Sequence, residues 1–153
     1  MAQWISVDRD TLRLADEERE ISGIRVRLST SPYDVPTAFR GYFDHELDRF
    51  VIEFRYIEHE ESVLKRHDPV TEFKAGILTG RVQAIIIDVK KIQAQAVGIE
   101  FEKRDWEHSV QEGIAIASRV LSGDDGWSRQ NADAANAILN TQSDKLVVSP
   151  RNR

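Results

Sequence analysis

The chain has no cysteine, which excludes disulfides, thiolate nucleophiles and every cysteine-based zinc or iron–sulfur site. That absence does not fix the compartment, because a cysteine-free protein folds equally well in oxidising surroundings. Long apolar runs are missing too. No window approaches the roughly 18 apolar residues that a membrane span requires. The opening Met1-Ala-Gln-Trp-Ile-Ser-Val-Asp8 has neither a basic start nor an apolar stretch of signal-peptide length. A soluble, cytoplasmic protein without membrane association is therefore expected. Nor is there a basic surplus: 21 Lys and Arg face 26 Asp and Glu, for a formal net charge of −5. This balance argues against a protein that wraps a nucleic-acid duplex, which needs cations concentrated on one face. The 4 prolines and 8 glycines are scattered at turn-like places, with no repeat, low-complexity tract or linker between them.

What remains is an ordinary globular composition, 41% hydrophobic and 31% charged over 153 residues. That length suits one domain with a real core. We read residues 1–148 as that domain and 149–153 as a flexible tail. The clearest signal is Phe50-Val-Ile-Glu-Phe-Arg-Tyr-Ile57, which alternates for a full strand length opposite a second run ending at Phe43. With the polar loop Asp44-His-Glu-Leu-Asp48 between them, the two predict a β-hairpin with strands near 37–43 and 49–58. Ile24, Val26 and Leu28 alternate with Arg25 and Arg27 and predict a half-buried strand after Gly23. Residues 29–36 hold two prolines and read as a loop. Residues 58–69 form a charged connection. Val70 to Leu78 is the next strand, with Phe73, Ala75 and Ile77 on one side.

Thr79-Gly80 makes a tight turn. Ala84-Ile-Ile-Ile-Asp-Val89 is apolar on both faces, the mark of a central strand covered on each side or lying at a subunit contact. Ala96 to Phe101 is the last strand, while 90–96 fits either strand or helical turn. In the first 22 residues, Trp4, Ile5 and Val7 suit a strand; Asp16 to Glu20 also suits the polar face of a short helix, but strand and then turn is the reading preferred. After Phe101 the period changes. Trp106, Val110, Gly113, Ile114, Ala117, Val120 and Leu121 form one helical stripe, with Asp105 at the N-cap and Gly123 just past the end. A second helix presents Ala132, Ala135, Ile138 and Leu139, with Trp127 and Ser128 at its entry. Leu146-Val-Val148 either adds an edge strand or packs back. The expected fold is α+β: a curved antiparallel sheet of about five to seven strands followed by two C-terminal helices on one side.

Candidate chemistry is sparse. Glu58, His59, Glu61 and His67 are ligand types for a hard or borderline metal. On a strand, however, Glu58 and Glu60 face one way while His59 and Glu61 face the other, so a solvated charged loop is the better reading. Asp44, Glu46 and Asp48 imitate the opening of a calcium loop. Arg49 stands where that loop needs Gly, and Arg55 where it needs a bidentate Glu, so calcium is rejected. Ser22, Ser62 and Ser109 lack a nucleophile-elbow setting, and His45, His59, His67 and His108 all lie in polar surroundings. No phosphate-binding glycine loop occurs, and the glycines of Gly123-Asp-Asp-Gly126 read as a helix stop and turn. No cofactor is expected. The aromatics concentrate on the hairpin, where an exposed face bearing Phe39, Tyr42 and Tyr56 would serve binding. The alternation instead groups Phe50, Ile52, Phe54 and Tyr56 as a core face.

Residues 42–101 carry Tyr42-Phe-Asp44-His-Glu46-Leu-Asp48-Arg-Phe-Val-Ile52-Glu-Phe54 and, later, Val97-Gly-Ile-Glu-Phe101. This resembles a family of small bacterial domains of unknown function, marked by a Tyr-Asp-x-Glu-x-Asp opening and a Val-Gly-Ile-Glu-Ile closing strand. Here Phe43 intrudes between the Tyr and the Asp, and an extra strand pair near 68–83 interrupts the pattern. The resemblance implies a small β-meander and no activity. Two functions follow from the residues. The first is a non-catalytic binding or assembly module, partnered by a second copy in a two-fold dimer or by another protein. The alternative is a small metal-dependent hydrolase using the 58–68 acids and histidines.

Overall fold

The computed structural model of the protein describes residues 3–8, 17–28, 32–44, 46–47, 49–88, 106–122 and 129–146. Among the described residues eight strands and two α-helices succeed one another: β1 (Ile5–Ser6), β2 (Glu17–Ile21), β3 (Ile24–Leu28), β4 (Ala38–Asp44), β5 (Arg49–Arg55), β6 (Ser62–Arg66), β7 (Thr71–Gly76), β8 (Val82–Asp88), α1 (Trp106–Leu121) and α2 (Arg129–Gln142). Six strands form one antiparallel sheet in the order β1-β4-β5-β8-β7-β6, and β2 and β3 pair separately. The result is the α+β arrangement that the patterning predicts.

The period of two decides the sheet's inside. Phe39 and Phe43 on β4, Phe50, Ile52 and Phe54 on β5, Phe73 and Ala75 on β7, and Ile85 and Ile87 on β8 are all buried. The register aligns them across the sheet, with Phe39 opposite Phe54, Phe43 opposite Phe50, Ile52 opposite Ile85, and Phe73 opposite Ile85. The helices cover this face with Ile116, Ala117, Val120 and Leu121 of α1 and Ala132, Ala135, Ile138 and Leu139 of α2, all in one cluster. Small residues set the spacing. A Cβ built on Gly113 would lie 2.5 Å from the Phe50 ring, so only glycine lets α1 come this close.

Several expectations are corrected. The connection over 58–69 contains β6, whose pattern is too polar to announce itself because it is an edge strand with Val63 to Arg66 exposed. Ile77 lies beyond β7 and is 60% exposed, and Ile24 is 65% exposed on the separate hairpin. Residues 17–21 are a strand, as preferred from the sequence: the turn at Ser22 (φ 52°) and Gly23 (φ 82°) joins β2 to β3, with the two positive φ values that tight hairpins favour. Of the double-sided apolar strand, one face is covered by the chain's own helices. Ile85 and Ile87 face the helices, while Ile86 is half-buried on the other face beside Val51. Leu146 packs back against Gly41, and Val147 and Val148 lie outside the described residues. The Ala96–Phe101 strand, the Asp105, Ser128 and Gly123 caps, Trp127 and the 149–153 tail lie outside the described residues.

Candidate functional site, a cleft on the helix-free face

The sheet's other face has no helix against it among the described residues, and its residues follow from the register. One row across the strands reads Arg40, Glu53, Ala84, Lys74, Leu64, and the next reads Tyr42, Val51, Ile86, Glu72, Arg66. Ala84 is the smallest member of the first row, so the face dips there between Glu53 and Lys74. A register shift between Lys74 and Ala75 sits beside the dip, and such irregularities re-aim side chains. The depression is a cleft of about 480 Å³ lined by, among others, Trp4, Glu53, Arg55, Glu58, His59 and Lys74. That volume is in the range of small-molecule sites.

One wall is built from aromatic and cationic groups. Trp4 precedes β1, and its ring centroid lies 4.3 Å from the Arg40 guanidinium carbon and 4.2 Å from that of Arg55. Arg40 also donates to Glu53 Oε1 from Nε at 3.2 Å and from Nη2 at 3.1 Å, and its guanidinium carbon stands 5.7 Å from the Tyr42 ring. Burial, and then the Glu53 carboxylate, push the Tyr42 phenol up to about 12, because both disfavour a second negative charge there. The N-terminal segment carrying Trp4 is held in place. Val7 N–H donates to the Thr37 carbonyl, and Asp8 exchanges two hydrogen bonds with the buried Gln142 side chain.

The opposite wall is the 58–62 segment. Glu60 accepts from the Leu78 and Thr79 N–H groups and the Thr79 hydroxyl, and its main-chain carbonyl accepts from Gln83 Nε2. Its carboxylate lies over Gly76, where any Cβ would overlap it. Glu60 therefore builds a turn. Glu58 and His59 line the cleft and are exposed.

The residues singled out from the sequence are not brought together. Phe39 is fully buried in the helix-side core and offers a ligand no surface. Tyr42 lies on the helix-free face, in the row beside the cleft. Tyr56 lines the cleft, but its hydroxyl donates to the Val82 carbonyl at 2.6 Å and accepts from Asn131 Nδ2 at 2.8 Å. Fully buried Asn131 also donates to the Asp34 carbonyl and accepts from Val82 N–H, so this network clamps α2 to the sheet. Burial raises the Tyr56 phenol far above its ordinary range. Of the candidate metal ligands, Glu58 and His59 reach the cleft, whereas Glu61 and His67 flank β6 on opposite sides, about 20 Å apart at strand rise. Among the described residues no group of three His, Asp or Glu could hold a metal ion.

Sequence reasoning missed Arg40, Arg55, Lys74 and Ala84, and read Trp4 only as part of an N-terminal strand. Parity was the available signal, since residues 53 and 55 must face away from Phe54. The row through Ala84 needs the register. No family model, curated protein or solved structure matches the chain.

Proposed function

We propose that the protein is a non-catalytic binding module whose ligand surface is the cleft on the helix-free face. The observation that carries this reading is the wall itself: Arg55 stacks on Trp4 and Arg40 is tied to Glu53, so polar groups are fixed in place around a small apolar floor at Ala84. Prearranged polar groups cut the cost of ordering a site on binding. The resemblance of residues 42–101 to small β-meander domains agrees with a module that carries no chemistry of its own. A cytoplasmic setting fits this reading, and no described helix is long and apolar enough to cross a membrane.

The hydrolase alternative would need Glu58, His59, Glu61 and His67 to converge, and the strand β6 lies between His67 and the other three. Assembly with a second copy remains part of the proposal: the helices cover Ile85 and Ile87, and a second copy would cover the opposite face, where Ile86 is half-buried. The test is a fragment screen by amide chemical-shift perturbation on the isotope-labelled protein. We expect hits to cluster on Trp4, Arg55, His59, Lys74 and Gln83. Hits that cluster elsewhere, or no hits at all, would remove the cleft as the binding surface.

A further inference from the structure

We infer that the cleft takes a small organic dianion, with its two anionic groups spaced to meet Arg55 on one wall and Lys74 on the other. This rests on the cleft being a binding surface and adds the ligand's chemical class. The inference starts from which charges around the cleft are already satisfied. Glu53 is held by two hydrogen bonds from Arg40, so the carboxylate nearest the floor is neutralised. Among the described residues, Arg55, Lys74 and Glu58 have no ion-pair partner. Two free cations against one free carboxylate leave one positive charge in excess, and His59 adds another when protonated. A net-acidic chain thus opens a locally cationic cleft.

The two cations are also suitably presented. Arg55 lies flat enough to place its guanidinium carbon 4.2 Å from the Trp4 ring centroid, and stacking of this kind fixes the group while leaving its N–H edge free for a carboxylate. Its backbone is locked as well, since the Arg55 carbonyl accepts from Thr37 N–H at 2.7 Å. Lys74 sits next to the register shift and two strands away, across Ala84. Two strand spacings and two residues of rise put their Cα atoms about 12 Å apart. Both side chains are long enough to lean inward over Ala84 from there. One compact anion would satisfy only one of the two cations at full contact, whereas a spaced dianion satisfies both.

The test is calorimetric titration at low ionic strength with linear dicarboxylates from succinate to suberate, alongside hexanoate and inorganic phosphate. We expect saturable binding with an optimum at one chain length, about tenfold tighter than hexanoate. Lys74→Gln and Arg55→Gln should each weaken it about tenfold, the scale of one charge-assisted hydrogen bond. Lys65→Gln removes the same charge from the sheet's other face and should leave affinity within about twofold, since it controls for nonspecific attraction. Tighter binding of phosphate than of every dicarboxylate would overturn the inference, as would affinities indifferent to chain length or to both cleft substitutions. If uncharged fragments perturb the cleft amides while no dicarboxylate binds, the dianion falls and the binding surface stands. Dicarboxylates that perturb only amides outside the cleft, with no fragment perturbing the cleft either, would sink both.

Discussion

Gly113 and Gly41 both face the sheet core, yet alanine should have opposite consequences at the two. In a helix interior, Gly→Ala ordinarily gains about 1 kcal/mol from backbone entropy. At Gly113 the new Cβ would meet the Phe50 ring at 2.5 Å, and that ring is buried between strand and helix, with nowhere to move. Overpacking of this kind costs about 1–3 kcal/mol, so Gly113→Ala should lower the urea midpoint. At Gly41 the nearest atoms, from Leu146, stand 3.6 Å away, an ordinary contact, and Gly41→Ala should leave the midpoint unchanged or raised. Tyr42 sets a pH dependence at the same scale. Its phenol is raised from 10.0 to about 12 by burial and by Glu53, so the folded state holds the proton more tightly than the unfolded one. The stability it contributes is complete below pH 10 and is lost as pH rises through about 12. Denaturation midpoints measured from pH 9 to 12 should therefore fall with pH, and more steeply than in Tyr42→Phe. Equal slopes would mean that the tyrosine is solvated.

Elements were legible where one face is apolar and one polar. β4, β5, β7 and both helices follow their periods because each lays one side on the common core. β6 was hidden because it is an edge strand: Lys65 and Arg66 are exposed there, and charged residues on an edge discourage pairing with further strands. β2 was ambiguous because Glu17 to Glu20 suits a helix surface as well as a strand. The cleft was illegible for a different reason. Trp4, Arg55 and Lys74 come from three separate segments, and only the register sets them around Ala84. The 58–61 acids mislead in the same way, since Glu60 proves to be the support of a turn. Its carboxylate gathers the Leu78 and Thr79 N–H groups over Gly76. Gly76→Ala must expel that carboxylate and lose its hydrogen bonds, a cost of about 1–3 kcal/mol. In a Glu60→Ala background the same substitution should cost far less, because the clash has gone. A double-mutant cycle measures this coupling, and additive losses would show that Glu60 does not support the turn.

At the scale of the molecule, the question is whether folding requires a partner. A central strand apolar on both faces argues for an external cover, and Ile85-Ile86-Ile87 made that argument from sequence. The sheet answers it internally on one face. Ile85 and Ile87 lie under α1 and α2, which bring Ala117, Leu121, Ala135 and Ile138 to full burial. Ile86 on the opposite face is flanked by Val51 on β5 and Glu72 on β7. Each large apolar side chain buried this way contributes about 1.5–3 kcal/mol, and every one counted here is buried by residues of the same chain. Folding should therefore be complete in the monomer, with association, where it occurs, a separate and weaker event. The denaturation midpoint should then not change when protein concentration is raised about a hundredfold, because mass action moves it only when association and folding are one equilibrium. Light scattering across the same range reports the oligomeric state independently. A midpoint that climbs with concentration would show that the chain's own helices do not suffice and that a second copy completes the core.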